Sequence, residues 1–294
     1  MFKLNELKVL LKLYPNKSLL LLDLVALVMF ILTLVLFRLR KRKIRKKFYT
    51  ITGSFFLSLS LLTMIALITI FNWQNNNRKA RKNVIENTEI HGLGDYTFGI
   101  DLSHYQGTID WSLVKESKHA IEFVYIRCTM GADGVDKTYA NNIMKAKNHG
   151  FLIGSYHFYR PNENSTKQFE NFKKNIKIQE GHLYPVLDIE SESKFGIENL
   201  RQGIRNFLVL AEQEFGVKPI IYTGLHFYKR NLKGYFDDYP LWIAAYSGKN
   251  KLKGVKWDFH QISERVKVKG INGNVDGNDF NGNLEKLKLE FLIR

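Results

Sequence analysis

Two acidic residues set two apart, Asp188 and Glu190, close the apolar run 184–190. On a strand such residues point to the same face, with Cα atoms roughly 7 Å apart. Carboxyls placed that way repel one another and favour one held protonated. Acid-catalysed glycoside cleavage uses this arrangement, an acid to protonate the leaving oxygen and a second carboxyl beside it. Strand-end acids also cap loops or bind metals, so the pair alone leaves those readings open. Asp101 and Asp276 end two further runs of the same kind.

Positioning four such carboxyls together requires strands whose ends converge. Candidate strands fall at 97–101, 123–128, 152–159, 184–190, 220–223, 241–245 and 257–262, with a short last one at 274–276. The early spacing of about thirty residues suits βα units. Helical signals fill the gaps. Tyr139, Ile143 and Ala146 share one face of a helix over 136–149, which Gly150 closes. Ser165-Thr-Lys-Gln168 has the form of a capping box before Phe169 and Phe172. Leu200, Ile204, Phe207, Leu208 and Ala211 line a helix over 198–215, stopped by Gly216. Later gaps are too short for full helices. The expectation is an α/β fold, an irregular, TIM-like β/α barrel whose last strands lack full helices. In such barrels the working residues project from the C-terminal strand ends, where all four acids lie.

The 294 residues carry a net charge of +16, but its placement argues against nucleic acid as a partner. Sixteen Lys and Arg stand against Glu6 and Asp23 up to Lys82, whereas 28 basic residues face 26 acidic ones beyond it. The near-neutral remainder lacks the basic footprint that phosphate binding needs. The basic excess instead surrounds two apolar runs, 19–37 and 48–71, each long enough to span a hydrocarbon core of about 30 Å. Between them, Arg38 to Lys47 holds eight positive charges, which keeps that loop cytoplasmic. The expected organisation is a membrane anchor at 1–72 with two transmembrane helices in contact with lipid, a polar linker at 73–95, and a domain at 96–294. That domain would be extracytoplasmic, in a periplasm or at the cell surface. Neither apolar run leads into a small-x-small cleavage site, so the anchor is expected to be retained. Cys128, the sole cysteine, lies within an apolar run and reads as a buried, inert thiol. No Gly-x-Ser-x-Gly elbow or phosphate-cradling glycine loop is present.

Seven ordered motifs resemble glycoside hydrolase family 25, the Chalaropsis-type lysozymes, from Tyr96 to about Asn283. They are Gly99-Ile-Asp-Leu-Ser-His-Tyr-Gln-Gly107 with Asp110-Trp111, Tyr125-Ile-Arg127, Gly154-Ser-Tyr-His-Phe-Tyr-Arg160, Pro185-Val-Leu-Asp-Ile-Glu190, Ile221-Tyr-Thr-Gly224, Leu241-Trp-Ile-Ala244, and Gly273-Asn-Val-Asp276 leading to Asp279-Phe-Asn-Gly282. The resemblance implies an N-acetylmuramidase that acts on peptidoglycan glycan strands without metal or organic cofactor. It implies Glu190 as general acid and base, Asp188 as the carboxylate steadying the substrate's 2-acetamido group, and Asp101 and Asp276 as flanking carboxylates. Tyr125, Tyr156, Tyr222 and Tyr246 sit at strand positions where an aromatic side chain either meets a sugar or packs in the core, and with Gln261 they are the expected sugar contacts. The chain departs from the family at Met130-Gly131, where an acidic residue commonly precedes the glycine, and at His260-Gln261-Ile262, where Trp-Gln-Tyr is usual. Neither departure removes a carboxylate. His104, His157 and His260 lack the spacing of a metal triad. Alternative roles are a catalytically silent peptidoglycan-binding module and a glycosidase for another amino-sugar polymer.

Overall fold

The computed structural model describes residues 58, 61–66, 68–76, 91–92 and 94–294. The chain divides into two units, at Met1–Val84 and Ile85–Arg294. In the first, residues 61–66 and 68–76 are helical and carry exposed apolar side chains, Leu61, Leu62, Phe71 and Trp73 among them. No helix among the described residues is long and apolar enough to cross a membrane. The expected span at 19–37 lies outside the described residues, as do much of the span at 48–71 and most of the linker.

The second unit is built on nine strands, β1 (Thr97–Leu102), β2 (Ile121–Met130), β3 (Gly134–Val135), β4 (Leu152–Phe158), β5 (Val186–Asp188), β6 (Ile220–Gly224), β7 (Leu241–Ala244), β8 (Phe259–Val266) and β9 (Val275–Phe280). The sheet order is β1-β9-β8-β7-β6-β5-β4-β2-β3, and pairing of β1 with β2 closes eight strands into a barrel. Strands β1, β2, β4, β5, β6, β7 and β8 run parallel, while β9 is antiparallel to both β8 and β1. The last strands are longer than their apolar runs suggested. A direct β8–β9 hairpin pairs them without a helix between. Four helices cover the outside, α1 (Trp111–Lys115), α2 (Tyr139–Asn148), α3 (Ser165–Asn175) and α4 (Ile197–Phe215), followed by a C-terminal α5 (Leu284–Phe291).

Strand alternation sorts the core into two parts. Ile100, Leu102, Val124, Ile126, Leu187, Ile189, Ile221 and Ile243 face the helices. Phe123, Tyr125, Val186, Ile220, Trp242, Phe259 and Phe280 fill the barrel, where Phe291 of α5 packs on Phe259 and Phe280. Two glycines make room for this packing. A Cβ at Gly99 would enter the ring of Phe123, and one at Gly154 would enter the ring of Tyr125.

Helix ends follow local chemistry, with one correction. Gly216 closes α4 in the left-handed conformation, as expected. The Ser165-to-Gln168 capping box does not form. Asn164 caps α3 instead, its side chain accepting from the Lys167 backbone N–H. Gln168 is fully buried, bonded to His157 and to the backbone of Arg160. With Asn164 as the cap, Gln168 is the fourth helical residue and faces the core, where buried donors draw its amide away from the cap.

Candidate active site

The parallel strands deliver their final inward-facing residues to one end of the barrel; Asp276, expected to end its strand, instead lies near the start of β9, which reaches the same end because it runs antiparallel. There a cavity of about 180 Å³ is lined by Asp101 from β1, Arg127 from β2, Tyr156 from β4, Asp188 and Glu190 at and just beyond β5, Tyr222 from β6, Gln261 from β8 and Asp276 from β9. All four carboxyls expected to do chemistry therefore share one cavity. A second cleft of about 760 Å³ meets it at Glu190 and Tyr222 and includes Tyr246 in its wall.

The carboxyls differ in surroundings. Asp188 is 6% exposed, and its Oδ1 is buried without a hydrogen-bond partner. Burial pushes its carboxyl well above the usual range, and the neighbouring Glu190 and Asp101 push it further. Glu190 stands at the junction of the two clefts and makes no hydrogen bond to the described residues. Its carboxyl is also raised, by burial and then by Asp101. Asp276 is pushed up to about 8, chiefly by burial and by the charge of Asp101, to which it is hydrogen bonded. Asp101 is raised by burial against hydrogen bonds from Asn278, Gln261 and Asp276 that pull it down. Four carboxyls this close cannot all ionise, so the site stores protons at neutral pH.

A polar lattice holds Asp101 in place. Gln261 Nε2 donates to its Oδ2 at 3.0 Å and Asn278 Nδ2 at 2.9 Å. Tyr222 and Tyr246 both donate to Gln261 Oε1, at 2.9 and 2.6 Å, which orients the amide so that its N–H faces Asp101. Trp242 Nε1 donates to Asn278 Oδ1 at 3.1 Å and does the same for the second amide. Burial keeps the hydroxyls of Tyr156 and Tyr222 protonated far above neutral pH, so both remain donors.

Tyr125 is not brought to the cavity. It is fully buried against Trp242 and Phe259, and its hydroxyl donates to the Tyr184 carbonyl at 3.1 Å. Arg127, two residues further along the same face of β2, reaches the cavity in its place. Arg127 Nε donates to Asp136 Oδ2 at 3.2 Å, and its guanidinium also contacts His104. Burial opposes ionisation of Asp136, but hydrogen bonds from Thr138 and from the His104 backbone, with the Arg127 charge, hold its carboxyl below the usual range. Arg127, Trp242 and Asn278 were not singled out from sequence. The signal for Arg127 lay in Tyr125-Ile-Arg127, whose second inward residue lies nearer the strand's C-terminal end.

The three histidines occupy separate surroundings. His157 is buried between Thr129 and Gln168, His260 bonds the Ala245 carbonyl, and His104 joins Asp136. Among the described residues no cluster of His, Cys, Asp or Glu is arranged to hold a metal ion. Cys128 is buried, its thiol pushed up to about 12 chiefly by burial.

A family model for the glycosyl hydrolases of family 25 matches residues 100–271. The chain belongs to that family. This family 25 chain is 36% identical over 209 residues to the uncharacterised protein YegX of Escherichia coli O157:H7, covering 69% of the chain and 77% of that protein. It is 34% identical over 182 residues to the autolytic lysozyme of Clostridium acetobutylicum, covering 62% of the chain and 55% of that enzyme. Among solved structures, a family 25 glycosyl hydrolase from Bacillus anthracis superposes with a TM-score of 0.61 at 26% identity, over 69% of this chain and 98% of its own. A bacterial lysozyme from Streptomyces coelicolor superposes with a TM-score of 0.58 at 29% identity, over 69% and 97% of the two chains. The family 25 barrel thus accounts for the second unit, and the likeness to lysozymes supports a glycosidase.

Proposed function

We propose that this family 25 chain is a membrane-anchored N-acetylmuramidase that cleaves the β-1,4 bond between N-acetylmuramic acid and N-acetylglucosamine in peptidoglycan. The observation that carries the proposal is the contrast between Asp188 and Glu190. Asp188 is enclosed with an unpartnered Oδ1, while Glu190 stands free where two clefts meet, its carboxyl raised toward the range of a general acid. The similarity to an autolytic lysozyme supports peptidoglycan as the substrate.

The two carboxyls leave one strand on the same side, a poor placement for Asp188 to attack opposite the leaving group. The substrate's own 2-acetamido oxygen is the better nucleophile. In this mechanism Glu190 protonates the leaving oxygen as the acetamido oxygen closes on the anomeric carbon. The positive charge that develops on the acetamido group favours an ionised Asp188, which releases its proton to water in the cleft, and its Oδ1 accepts the acetamido N–H. Glu190, now a carboxylate, takes a proton from water as that water opens the oxazolinium ring from the face the leaving group vacated. The anomeric configuration is retained. Asp101 and Asp276 supply negative potential beside the reacting carbon, and the free hydroxyl of Tyr156 is a donor for the sugar.

Anchoring rests on the apolar runs at 19–37 and 48–71 and on the eight charges between them. A hairpin with that cluster in the cytoplasm holds the catalytic domain outside, facing the wall. The test of the function is digestion of purified peptidoglycan by the full chain in non-ionic detergent, with new reducing ends reduced by borohydride and identified by mass spectrometry. Reduced muramic acid is the expected end. A reduced glucosamine end would assign a different bond, and no new end would leave a binding module.

A further inference from the structure

The larger cleft beside Glu190 has walls that cleavage itself does not use. Beyond Glu190 and Tyr222 it is lined by Phe227 and Tyr246, with Lys229 and Lys251 among its other wall residues. Among the described residues neither lysine's side chain has an ion pair or hydrogen bond, although many of the domain's cations are paired, Lys173 with Glu214 and Lys218 with Asp238 for example.

Both lysines sit on turns that their neighbours tie down. Lys229 belongs to a π-helical turn, Tyr228–Leu232, a rare element that recurs at functional sites. The next residue, Arg230, bonds Glu192 at 2.5 Å, and Asn231 bonds the same carboxyl at 3.2 Å. Glu192 is two residues beyond Glu190, so the turn carrying Lys229 is bolted to the segment carrying the proposed acid. Lys251 lies in the 3-10 turn Lys249–Leu252. Lys249 pairs with Asp279 at 2.8 Å and lies over the ring of Tyr96, while Leu252 is buried. On each turn the adjacent cation takes the local carboxylate and leaves the cleft-facing lysine without one. In a cleft where Glu190 is the sole acidic residue of the lining, this leaves two positive charges for a ligand to neutralise.

We infer that this cleft is a second binding site, which receives the carboxylate-bearing peptide stem of peptidoglycan next to the bond being cleaved, with Lys229 and Lys251 as its anion contacts. The inference rests on the muramidase reading for the identity of the substrate. A glycan strand whose lactyl carboxyls are all in amide linkage carries its anionic groups only on those stems, so two unpaired cations beside the acid favour strands with stems over equally amidated strands without them. Phe227 and Tyr246 supply apolar surface for the stem or the adjoining sugar.

The test measures binding, so that it stands apart from turnover. Full chain carrying Glu190→Gln is titrated in detergent with soluble glycan strands that bear stems and with strands stripped of stems by an amidase, their freed lactyl carboxylates then capped as methylamides. Stem-bearing strands are expected to bind roughly tenfold more tightly, the size of two exposed ion pairs, with the advantage shrinking as salt is raised. Adding Lys229→Gln and Lys251→Gln should bring the two affinities together while leaving that for stripped strands unchanged. Equal affinities in the chain with both lysines, or equal losses on both strands when they are replaced, would overturn the site. Failure of the muramidase reading shows separately, as the absence of muramic acid ends in the digest.

Discussion

Replacing Asp276 with Asn should flatten the dependence of stability on pH. In the folded chain burial and Asp101 raise the Asp276 carboxyl from an ordinary 3.8 to about 8. An unfolded chain releases that proton near pH 4, whereas the folded chain keeps it until about pH 8, so between these limits the folded state binds one proton more. The stability this contributes is fully present below pH 4 and is lost as pH rises through about 8. One proton corresponds to about 1.4 kcal/mol per pH unit, or roughly 4 kcal/mol between pH 5 and pH 8. Because Asp276 hydrogen bonds to Asp101, the extra proton belongs to the pair, and Asp101 has its own donors in Asn278 and Gln261. Asn at 276 keeps the shape and donates through its amide, so Asp101 ionises without any proton to share. Urea unfolding of the full chain in non-ionic detergent, followed by tryptophan fluorescence from pH 5 to pH 8, measures both slopes. The wild type should lose stability more steeply by about one proton's worth. Parallel curves would refute the argument, since they would mean that the pair holds no extra proton when folded.

Three further outcomes follow from other parts of the molecule. Glu190→Gln removes the transferable proton but keeps volume, so release of reducing ends should fall by at least about 10²-fold while circular dichroism stays native; substantial turnover would show that the acid is another residue. Tyr125→Phe deletes the hydroxyl that satisfies the Tyr184 carbonyl and should cost about 1 kcal/mol in unfolding free energy with wild-type turnover, whereas a selective loss of turnover would return Tyr125 to the sugar site. A reporter that works only outside the cytoplasm, fused after Arg294, should be active, and activity from a cytoplasm-only reporter at that position would contradict the anchoring hairpin.

Much of the barrel is legible in the sequence because parallel strands announce themselves as short apolar runs at βα spacing. The alternation in Val186-Leu-Asp188-Ile-Glu190 also fixes which face the acids take. Depth along the barrel is harder to read. Tyr125 and Arg127 occupy the same face of β2, and alternation cannot tell that the first is sealed under Trp242 while the second reaches the cavity. Side-chain pairing across the barrel is hidden for a related reason. Asn278 serves Asp101 from 177 residues away, and only the β1–β9 and β8–β9 pairings bring it there. Gln168 shows the opposite failure, a local capping signal overridden when the same side chain faced buried donors.

The central claim is that Asp188 and Glu190 divide the work of a substrate-assisted, retaining cleavage. Proton magnetic resonance of peptidoglycan fragments during the first minutes of digestion tests it most directly, because the anomer formed is recorded before mutarotation erases it. The account requires the β-anomer to appear first, with Asp188→Asn slowing its appearance strongly and no covalent sugar on the protein. An α-anomer appearing first, or a glycosyl adduct on Asp188, would contradict it.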